Sequence, residues 1–400
     1  MGEETPPHRF RTRLSHVGRA GKQVRGFVNP PLLRGSTVLY PTMAERRAMA
    51  THRSEQVLTY GLGGSETHWA LEDAIAGIEG GTRCQIVGSG LAAVTVPLLA
   101  YLRAGEHCLM PDSAYGPARN FAERALPRYG IETTFYDPRV DEAGMAALIR
   151  PNTTVVYTES PGSHTFEVQD VPAIARAAHA RGAKVLMDNT WGIHFFQPFR
   201  HGVDVSIQAL TKYPAGHSDV LIGSITVASD EEWERVRGTA SLLGQYASPD
   251  DCWLTLRGVR TLGVRLAAQM EAGLTVARWL ERRPEVARVL HPALPGAPGH
   301  ELWARDFTGA CSLFGVEFTP EVTVKATDAF VEALALFGIG ASWGGYESLA
   351  LPTTGFITRS PAAARFDGPL VRLHIGLEDP ADLIADLDHA LTALRAPPVR

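Results

Sequence analysis

The alternation of short apolar runs with longer helical patterns between residues 61 and 227 constrains the fold of this chain more than any other feature. Apolar runs separated by helices are typical of a mostly parallel sheet that is covered by helices on both faces. Ligands of such sheets bind at the carboxyl ends of the strands. The predicted strands are 84–87, 107–111, 153–157, 185–187, 203–208 and 222–227, and the predicted helices are 69–79, 90–103 and 171–181.

The chain has 400 residues, which is enough for two or three domains. Residues 1–60 show no strong periodicity and contain several prolines, which predicts an extended arm that contacts a partner subunit. The α/β domain is assigned to 61–258. After a long helix predicted over 252–282, two more strands and a final helix predict a smaller C-terminal α/β domain, assigned to 259–400.

Composition and charge favour a soluble globular protein, with 45% apolar and 20% charged residues. The formal net charge of −5 argues against nucleic acid as a partner. The longest apolar run, 91–102, is too short to span a bilayer. Glu3 and Glu4 weigh against a transit peptide, and four scattered cysteines are typical of a reducing compartment. We therefore expect a cytoplasmic protein with no membrane partner.

Two polar residues at strand ends point to a cofactor. Asp188 closes the strand predicted at 185–187, and Lys212 follows the strand predicted at 203–208. Pyridoxal 5′-phosphate needs a lysine to form a Schiff base and an acid to keep its pyridine nitrogen protonated. On local sequence alone, a solvated lysine and a turn aspartate remain the alternative. If the cofactor is correct, the protein is an enzyme that acts next to the Cα of an amino acid.

Further candidates occupy the same predicted sheet edge or a later strand. Ser89 and Gly90 precede an apolar helix, whose amino end favours a phosphate, although such turns are common. Tyr115 follows a strand and could stack on a pyridine ring, or simply pack. Arg372 lies within an apolar strand, where its guanidinium must meet an anion: a substrate carboxylate or a structural carboxylate. Thr211 adds a hydroxyl beside the lysine.

Other sequence motifs give little evidence for a different cofactor or for a metal site. A possible dinucleotide loop at 60–64 has no strand before it, so this signal is weak. The sequence has no G-x-S-x-G, H-E-x-x-H or Walker motif, and the fourteen histidines show no spacing typical of metal ligands. We therefore expect no metal site.

Seven segments, in order from about residue 30 to 394, resemble the cystathionine β-lyases of the Cys/Met-metabolism branch of pyridoxal-phosphate enzymes. Trp343 favours this subfamily, because the γ-synthases and γ-lyases tend to carry leucine there. The matching segments are Thr67-His68-Trp69, 159–163 (ESPGS), 188–191 (DNTW), 206–213 (SIQALTKY), 216–219 (GHSD), 342–348 (SWGGYES) and 372–378 (RLHIGLE).

The resemblance implies fold type I of the pyridoxal-phosphate transferases: a mostly parallel seven-stranded sheet with helices on both faces, plus a smaller C-terminal α/β domain. Residues 61–258 would then form the cofactor-binding domain. The resemblance assigns catalysis to Lys212, Tyr115 and Tyr60. The residues that it assigns to cofactor binding are Lys212, Asp188, Tyr115, Ser89, Gly90, Leu91, Thr211 and, from a neighbouring subunit, Tyr60.

The same resemblance implies that Arg372 binds the substrate α-carboxylate, helped by Ser342 and Trp343. The implied reaction is β-elimination from cystathionine or a related cysteine S-conjugate, which yields a thiol, pyruvate and ammonia. With cystathionine the thiol is homocysteine, a step in methionine synthesis. The shared site implied by Tyr60 requires at least a homodimer, and the resemblance suggests a tetramer of two dimers.

Three departures leave other functions open. Leu62 replaces an arginine that contacts the neighbour's phosphate in well-known members, Glu66 replaces a proline, and Ala341 replaces a tyrosine. One alternative is γ-elimination or γ-replacement on the same cofactor, which Trp343 disfavours. Another is a regulatory protein that binds the cofactor without turnover, and Leu62 is the feature that favours this alternative.

Overall fold

The computed structural model describes residues 8–19, 26–50, 56–359 and 365–395. The larger sheet contains seven strands: β1 (Arg83–Val87), β2 (His107–Pro111), β3 (Glu132–Tyr136), β4 (Thr153–Glu159), β5 (Lys184–Asp188), β6 (Val205–Gln208) and β7 (Gly223–Val227). The helices up to the end of this sheet are α1 (Phe10–His16), α2 (Met43–Ala50), α3 (Glu66–Glu79), α4 (Gly90–Tyr101), α5 (Gly116–Arg124), α6 (Glu142–Leu148) and α7 (Val171–His179). The helices α8 (Asp230–Leu242) and α9 (Pro249–Leu280) follow it.

The strand order is β1-β7-β6-β5-β4-β2-β3, and β7 is the one strand that runs antiparallel to both of its neighbours. The pairs β2–β3, β2–β4, β4–β5 and β5–β6 are parallel. The strands β4, β5 and β6 are buried along nearly their whole length, because helices cover the sheet. The prediction of a mostly parallel, seven-stranded sheet is confirmed.

Local sequence explains why the covering helices begin where they do. Ser89 precedes α4 and its hydroxyl accepts a hydrogen bond from the backbone N–H of Ala92 at 3.1 Å. Asp170 caps α7 in the same way through Ala173, and Pro172 stands in the first turn, where its missing N–H costs nothing. These caps place the amino end of α4 directly after β1, at the edge of the sheet where the parallel strands end.

The C-terminal part of the chain contains β8 (Val286–Leu290), α10 (His300–Asp306), β9 (Leu313–Phe318), α11 (Val324–Glu332), β10 (Gly338–Ile339), β11 (Leu349–Pro352), β12 (Leu370–His374) and α12 (Pro380–Leu391). Its strands form a smaller sheet with the order β10-β11-β12-β9-β8. They are antiparallel except for the parallel pair β10–β11. A separate core of buried aliphatic and aromatic side chains lies between this sheet and the helices beside it.

The structure differs from the predicted organisation at the N-terminal arm and at the domain boundary. The N-terminal arm is not uniformly extended, since α1 and α2 lie within it. Both helices are short, seven and eight residues, so their periodicity is weak in the sequence. The predicted boundary between 258 and 259 falls inside the continuous helix α9, so the domain division remains a prediction. Among the residues that the structure describes, no helix has the length and apolar character needed to cross a membrane.

Candidate active site

A cavity of about 430 Å³ opens where β4, β5 and β6 end, and the C-terminal part of the chain closes one of its sides. Of the eleven residues predicted for the site, ten line it. They are Ser89, Gly90, Leu91, Tyr115, Asp188, Thr211, Lys212, Ser342, Trp343 and Arg372. Tyr60 is the exception: it is 56% exposed and lies outside the cavity of its own chain. Its predicted contact with the phosphate of a neighbouring subunit therefore remains a prediction.

Lys212 lies in the turn after β6, where its backbone N–H donates to the carbonyl of Ala209 at 3.0 Å. Its Nζ donates to Ser342 Oγ at 2.7 Å and lies 5.3 Å from the centroid of the Trp343 ring. Burial and, to a lesser extent, the guanidinium of Arg372 together lower the pKa of Lys212 to about 8, while the charge of Asp188 opposes the change. The amine is therefore more readily available in its neutral, nucleophilic form than an ordinary lysine.

Asp188 is the last residue of β5 and is 9% exposed. Its Oδ1 accepts a hydrogen bond from the backbone N–H of Thr190 at 2.9 Å. Burial raises the pKa of Asp188, whereas the hydrogen bonds from Thr190 and the charge of Lys212 favour the ionised form. A buried carboxylate in this position can hold a cationic ring nitrogen, because the two charges then compensate each other away from water.

The amino end of α4 forms another side of the cavity. A Cβ at Gly90 would lie 2.6 Å from the Cβ of Ala209, so only glycine allows this close approach of α4 to the turn after β6. The free backbone N–H groups of the first helical turn suit a phosphate. The hydroxyl of Thr211, which was predicted to bind the phosphate, already donates a hydrogen bond from Oγ1 to the carbonyl of Ile222 at 3.1 Å. A hydrogen bond from this hydroxyl to a phosphate requires that bond to be exchanged.

Arg372 comes from β12 and reaches the cavity from the C-terminal sheet. Its Nη2 donates to the backbone carbonyl of Ser342 at 3.0 Å, and the side chain is buried, with 8% of the residue exposed. Burial lowers the pKa of Arg372 to about 10. No described carboxylate pairs with it, so its remaining donors can bind a substrate carboxylate. Ser342 has a φ of 76°, a left-handed conformation that is rare for a serine, and contacts both Lys212 and Arg372.

Glu159 is a site residue that the sequence analysis missed as a functional group. It ends β4, lines the cavity and accepts a hydrogen bond on Oε2 from the backbone N–H of Tyr115 at 2.7 Å. Burial, together with the charge of Asp188, raises its pKa well above the usual range. The signal that could have found it is its place as the last residue of a buried strand beside the strand of Asp188. His164 and Phe356 also line the cavity, and no sequence pattern singled them out.

The side chains at the cavity fit pyridoxal phosphate. An amine with a lowered pKa suits a Schiff base, and Asp188 suits the protonated ring nitrogen. The α4 amino end, with its closely packed Gly90, suits the phosphate. These are separate groups on α4, β5 and the turn after β6, and each matches one functional part of the cofactor.

Comparisons with known proteins agree with this geometry. A protein of Rhizobium johnstonii that is named provisionally as a cystathionine beta-lyase is 49% identical over 389 residues, which cover 96% of each chain. The cystathionine beta-lyase MetC of Escherichia coli is 42% identical and covers 94% of this chain and 96% of its own. The crystal structure of metB from Corynebacterium glutamicum superposes with a TM-score of 0.88 at 30% identity, covering 97% and 98% of the two chains.

More distant relatives have other names. A cystathionine gamma-lyase of Mus musculus is 37% identical over 84% of this chain and 85% of its own. An L-alanine/L-glutamate racemase of Wolbachia pipientis is 38% identical over 95% and 96% of the two chains. The model of the family described as Cys/Met metabolism PLP-dependent enzyme matches residues 11–392. The chain therefore belongs to the Cys/Met metabolism family of pyridoxal-phosphate-dependent enzymes, as its resemblance predicted.

Proposed function

We propose that this enzyme is a carbon–sulfur β-lyase that acts on cystathionine or related cysteine S-conjugates. The observation that carries the proposal is the Lys212 amine, which lies in one cavity with Asp188 and Arg372. The names of the relatives with the higher identities support the same reaction class. The reaction takes up one water and converts the S-conjugate into a thiol, pyruvate and ammonia.

The substrate amino acid is held by its charged groups. Arg372 binds the α-carboxylate with the guanidinium nitrogens that Ser342 leaves free, and this contact directs the Cα–H bond toward Lys212. The ring of Tyr115 would cover the cofactor, and the backbone N–H of Tyr115 donates a hydrogen bond to Glu159. Asp188, in its ionised form, would keep the ring nitrogen protonated.

Lys212 is the proposed base that transfers the Cα proton. When bound, pyridoxal phosphate supplies a cationic ring that withdraws electrons from Cα. Lys212 would remove the Cα proton as a neutral base, which its lowered pKa permits. The Cβ–S bond then breaks with its electron pair leaving on sulfur, and a proton completes the thiol. The three-carbon enamine left behind is hydrolysed to pyruvate and ammonia.

Two tests examine this proposal. Lys212→Ala should abolish both thiol release and the visible absorbance of the bound cofactor, whereas Lys325→Ala, at an exposed position of α11, should change neither. Borohydride reduction followed by peptide mass spectrometry should place the cofactor on Lys212. Turnover retained in Lys212→Ala would refute the assigned role.

The product formed from cystathionine separates the rival reactions. Pyruvate with homocysteine supports β-elimination, whereas 2-oxobutyrate with cysteine indicates γ-elimination. A regulatory protein without turnover would show the cofactor spectrum and release no thiol from any S-substituted cysteine. Because one relative is named a racemase, loss of optical rotation by L-alanine is measured in the same preparation.

We further propose that the active enzyme is at least a homodimer and that two dimers form a tetramer. Tyr60 and Leu62 are 56% and 40% exposed, and Leu91 and Leu221, at the rim of the cavity, are 40% and 70% exposed. A second copy would cover these apolar side chains and bring its Tyr60 to the phosphate. Mixing inactive Tyr60→Phe and Lys212→Ala chains should restore part of the activity, since one site of each mixed dimer is then intact. Light scattering gives the subunit number.

A further inference from the structure

Four carboxyl, amine or guanidinium side chains line the cavity, and each already has a role in the proposed reaction. Lys212 and Arg372 would face the reacting amino acid and Asp188 the ring nitrogen, while Glu159 accepts a hydrogen bond from the backbone N–H of Tyr115. Within the described part of the chain, no further charged side chain lines the cavity. A substrate that carries a second charged group beyond its sulfur atom would find no partner of opposite charge there.

Uncharged side chains form the wall that the sulfur substituent would meet. Phe356 and His164 lie with ring centroids 6.0 Å apart, and Leu351 and Ala341 also line the cavity. Burial lowers the pKa of His164 to about 4, so its imidazole is neutral at pH 7. The wall therefore offers contact with apolar atoms and no charge to bind a carboxylate or an ammonium group.

A buried ion cluster attaches the segment that carries Phe356 to the large domain. Phe356 belongs to the segment between β11 and β12, and three residues later Arg359 donates to Asp112 Oδ1 at 2.7 Å and also pairs with Glu167. The side chains of this trio are 8%, 0% and 5% exposed, so the C-terminal segment is attached to the large domain through a buried contact. This contact anchors the chain three residues after Phe356.

On the basis of the proposed function, we propose that this enzyme prefers cysteine S-conjugates with an apolar S-substituent over cystathionine. An alkyl or aryl substituent would exchange water for contact with Phe356, Leu351 and His164, which is favourable in proportion to the apolar area buried. The amino and carboxylate groups at the far end of cystathionine would lose water without gaining a partner. Leu62, in the segment expected from the neighbouring subunit, adds no charge either.

Three substrates of equal chain length test the preference in the cofactor-loaded enzyme: S-butyl-L-cysteine, S-(3-carboxypropyl)-L-cysteine and L-cystathionine. Their thiols leave from similar primary carbons, so differences in kcat/KM report mainly on the wall. We expect kcat/KM for the butyl compound to exceed that for cystathionine by about tenfold or more, with the carboxypropyl compound also disfavoured. Equal or reversed values would overturn the preference and leave the proposed β-elimination standing. Release of no thiol or pyruvate from any of the three would instead refute the proposed function.

A charge placed on the wall provides the second test. Phe356→Lys adds a cation at a position that is 60% exposed, so the fold tolerates it, and the ratio of butyl to carboxypropyl kcat/KM should fall at least fivefold. Val324→Lys, at a 53% exposed position of α11 away from the cavity, is the matched control and should leave the ratio unchanged. An unchanged ratio in Phe356→Lys would show that this wall does not meet the sulfur substituent.

Discussion

Glu159 and Asp188 lie side by side in register at the carboxyl ends of β4 and β5, both with 9% of their surface exposed. Two buried carboxyl groups so close together cannot both be ionised without a large cost. Thr190 and Lys212 favour the charged form of Asp188, whereas Asp188 itself raises the pKa of Glu159. We therefore assign the negative charge of the pair to Asp188 and the proton to Glu159.

This assignment predicts that Glu159→Gln retains most of the activity. The glutamine side chain is neutral and its oxygen can still accept the hydrogen bond of Tyr115, so kcat/KM should stay within about threefold of wild type. Glu159→Ala leaves that backbone N–H without its acceptor, which costs about 1–3 kcal/mol, and should lower kcat/KM by tenfold or more. A pH titration of the cofactor absorbance should be alike in wild type and Glu159→Gln. Equal losses in the two variants would contradict a protonated Glu159.

The lowered pKa of Lys212 predicts how fast the cofactor-free protein recaptures pyridoxal phosphate. Only the neutral amine attacks the aldehyde, so the rate should rise about tenfold per pH unit below pH 8 and level off above it. Removing the positive charge in Arg372→Gln should shift this midpoint upward, and removing the negative charge in Asp188→Asn should shift it downward. N-acetyl-lysine amide serves as the reference amine, with a pKa near 10.4. A midpoint close to that of the reference would contradict the buried placement of the amine.

Sequence patterns located most of the large sheet because its strands are apolar and separated by helices. β2 was predicted with its observed bounds, and β5 and β6 to within two residues at either end. β3 was missed, since Glu132, Thr133 and Thr134 give it a polar start on the edge of the sheet. The ends of α4 and α9 also differ from prediction by two or three residues, because tertiary contacts and caps decide where helices end.

Most residues of the candidate site were predictable, because polar side chains that follow parallel strands meet at the same edge of the sheet. The role of Glu159 was not, since a carboxylate that closes a strand is indistinguishable from a turn residue until the register with Asp188 is known. The position of Phe356 at the cavity could not be predicted either, because the nearby contact joins Arg359 to Asp112, two residues that are 247 positions apart in the chain. The proposed contact of Tyr60 with a phosphate requires a second copy of the chain, so the structure of a single chain does not test it.

The buried ion cluster predicts a loss of stability when its cation is removed. Arg359→Ala leaves Asp112 and Glu167 buried without that partner, and the free energy of unfolding should fall by about 3–5 kcal/mol. The control is Arg176→Ala, which breaks an ion pair with Glu142 whose side chains are 61% and 49% exposed, and should cost less than about 1 kcal/mol. Urea unfolding followed by fluorescence compares the two. A similar small loss in both variants would show that the cluster does not hold the segment.

The uncharged side chain at position 62 leads us to expect that a single substitution there raises the affinity for the cofactor. The family resemblance implies an arginine at this position, on the phosphate of the neighbouring subunit, and the side chain of Leu62 is 40% exposed. Leu62→Arg adds one cation beside a dianionic group. A partly exposed ion pair contributes up to about 1 kcal/mol, so the dissociation constant of pyridoxal phosphate should fall by about fivefold. Absorbance titration of the cofactor-free protein measures this, with Val324→Arg as the control for added charge. An unchanged dissociation constant in Leu62→Arg would argue that this segment does not reach the neighbour's phosphate, and the dimer proposed from Tyr60 would then need another geometry.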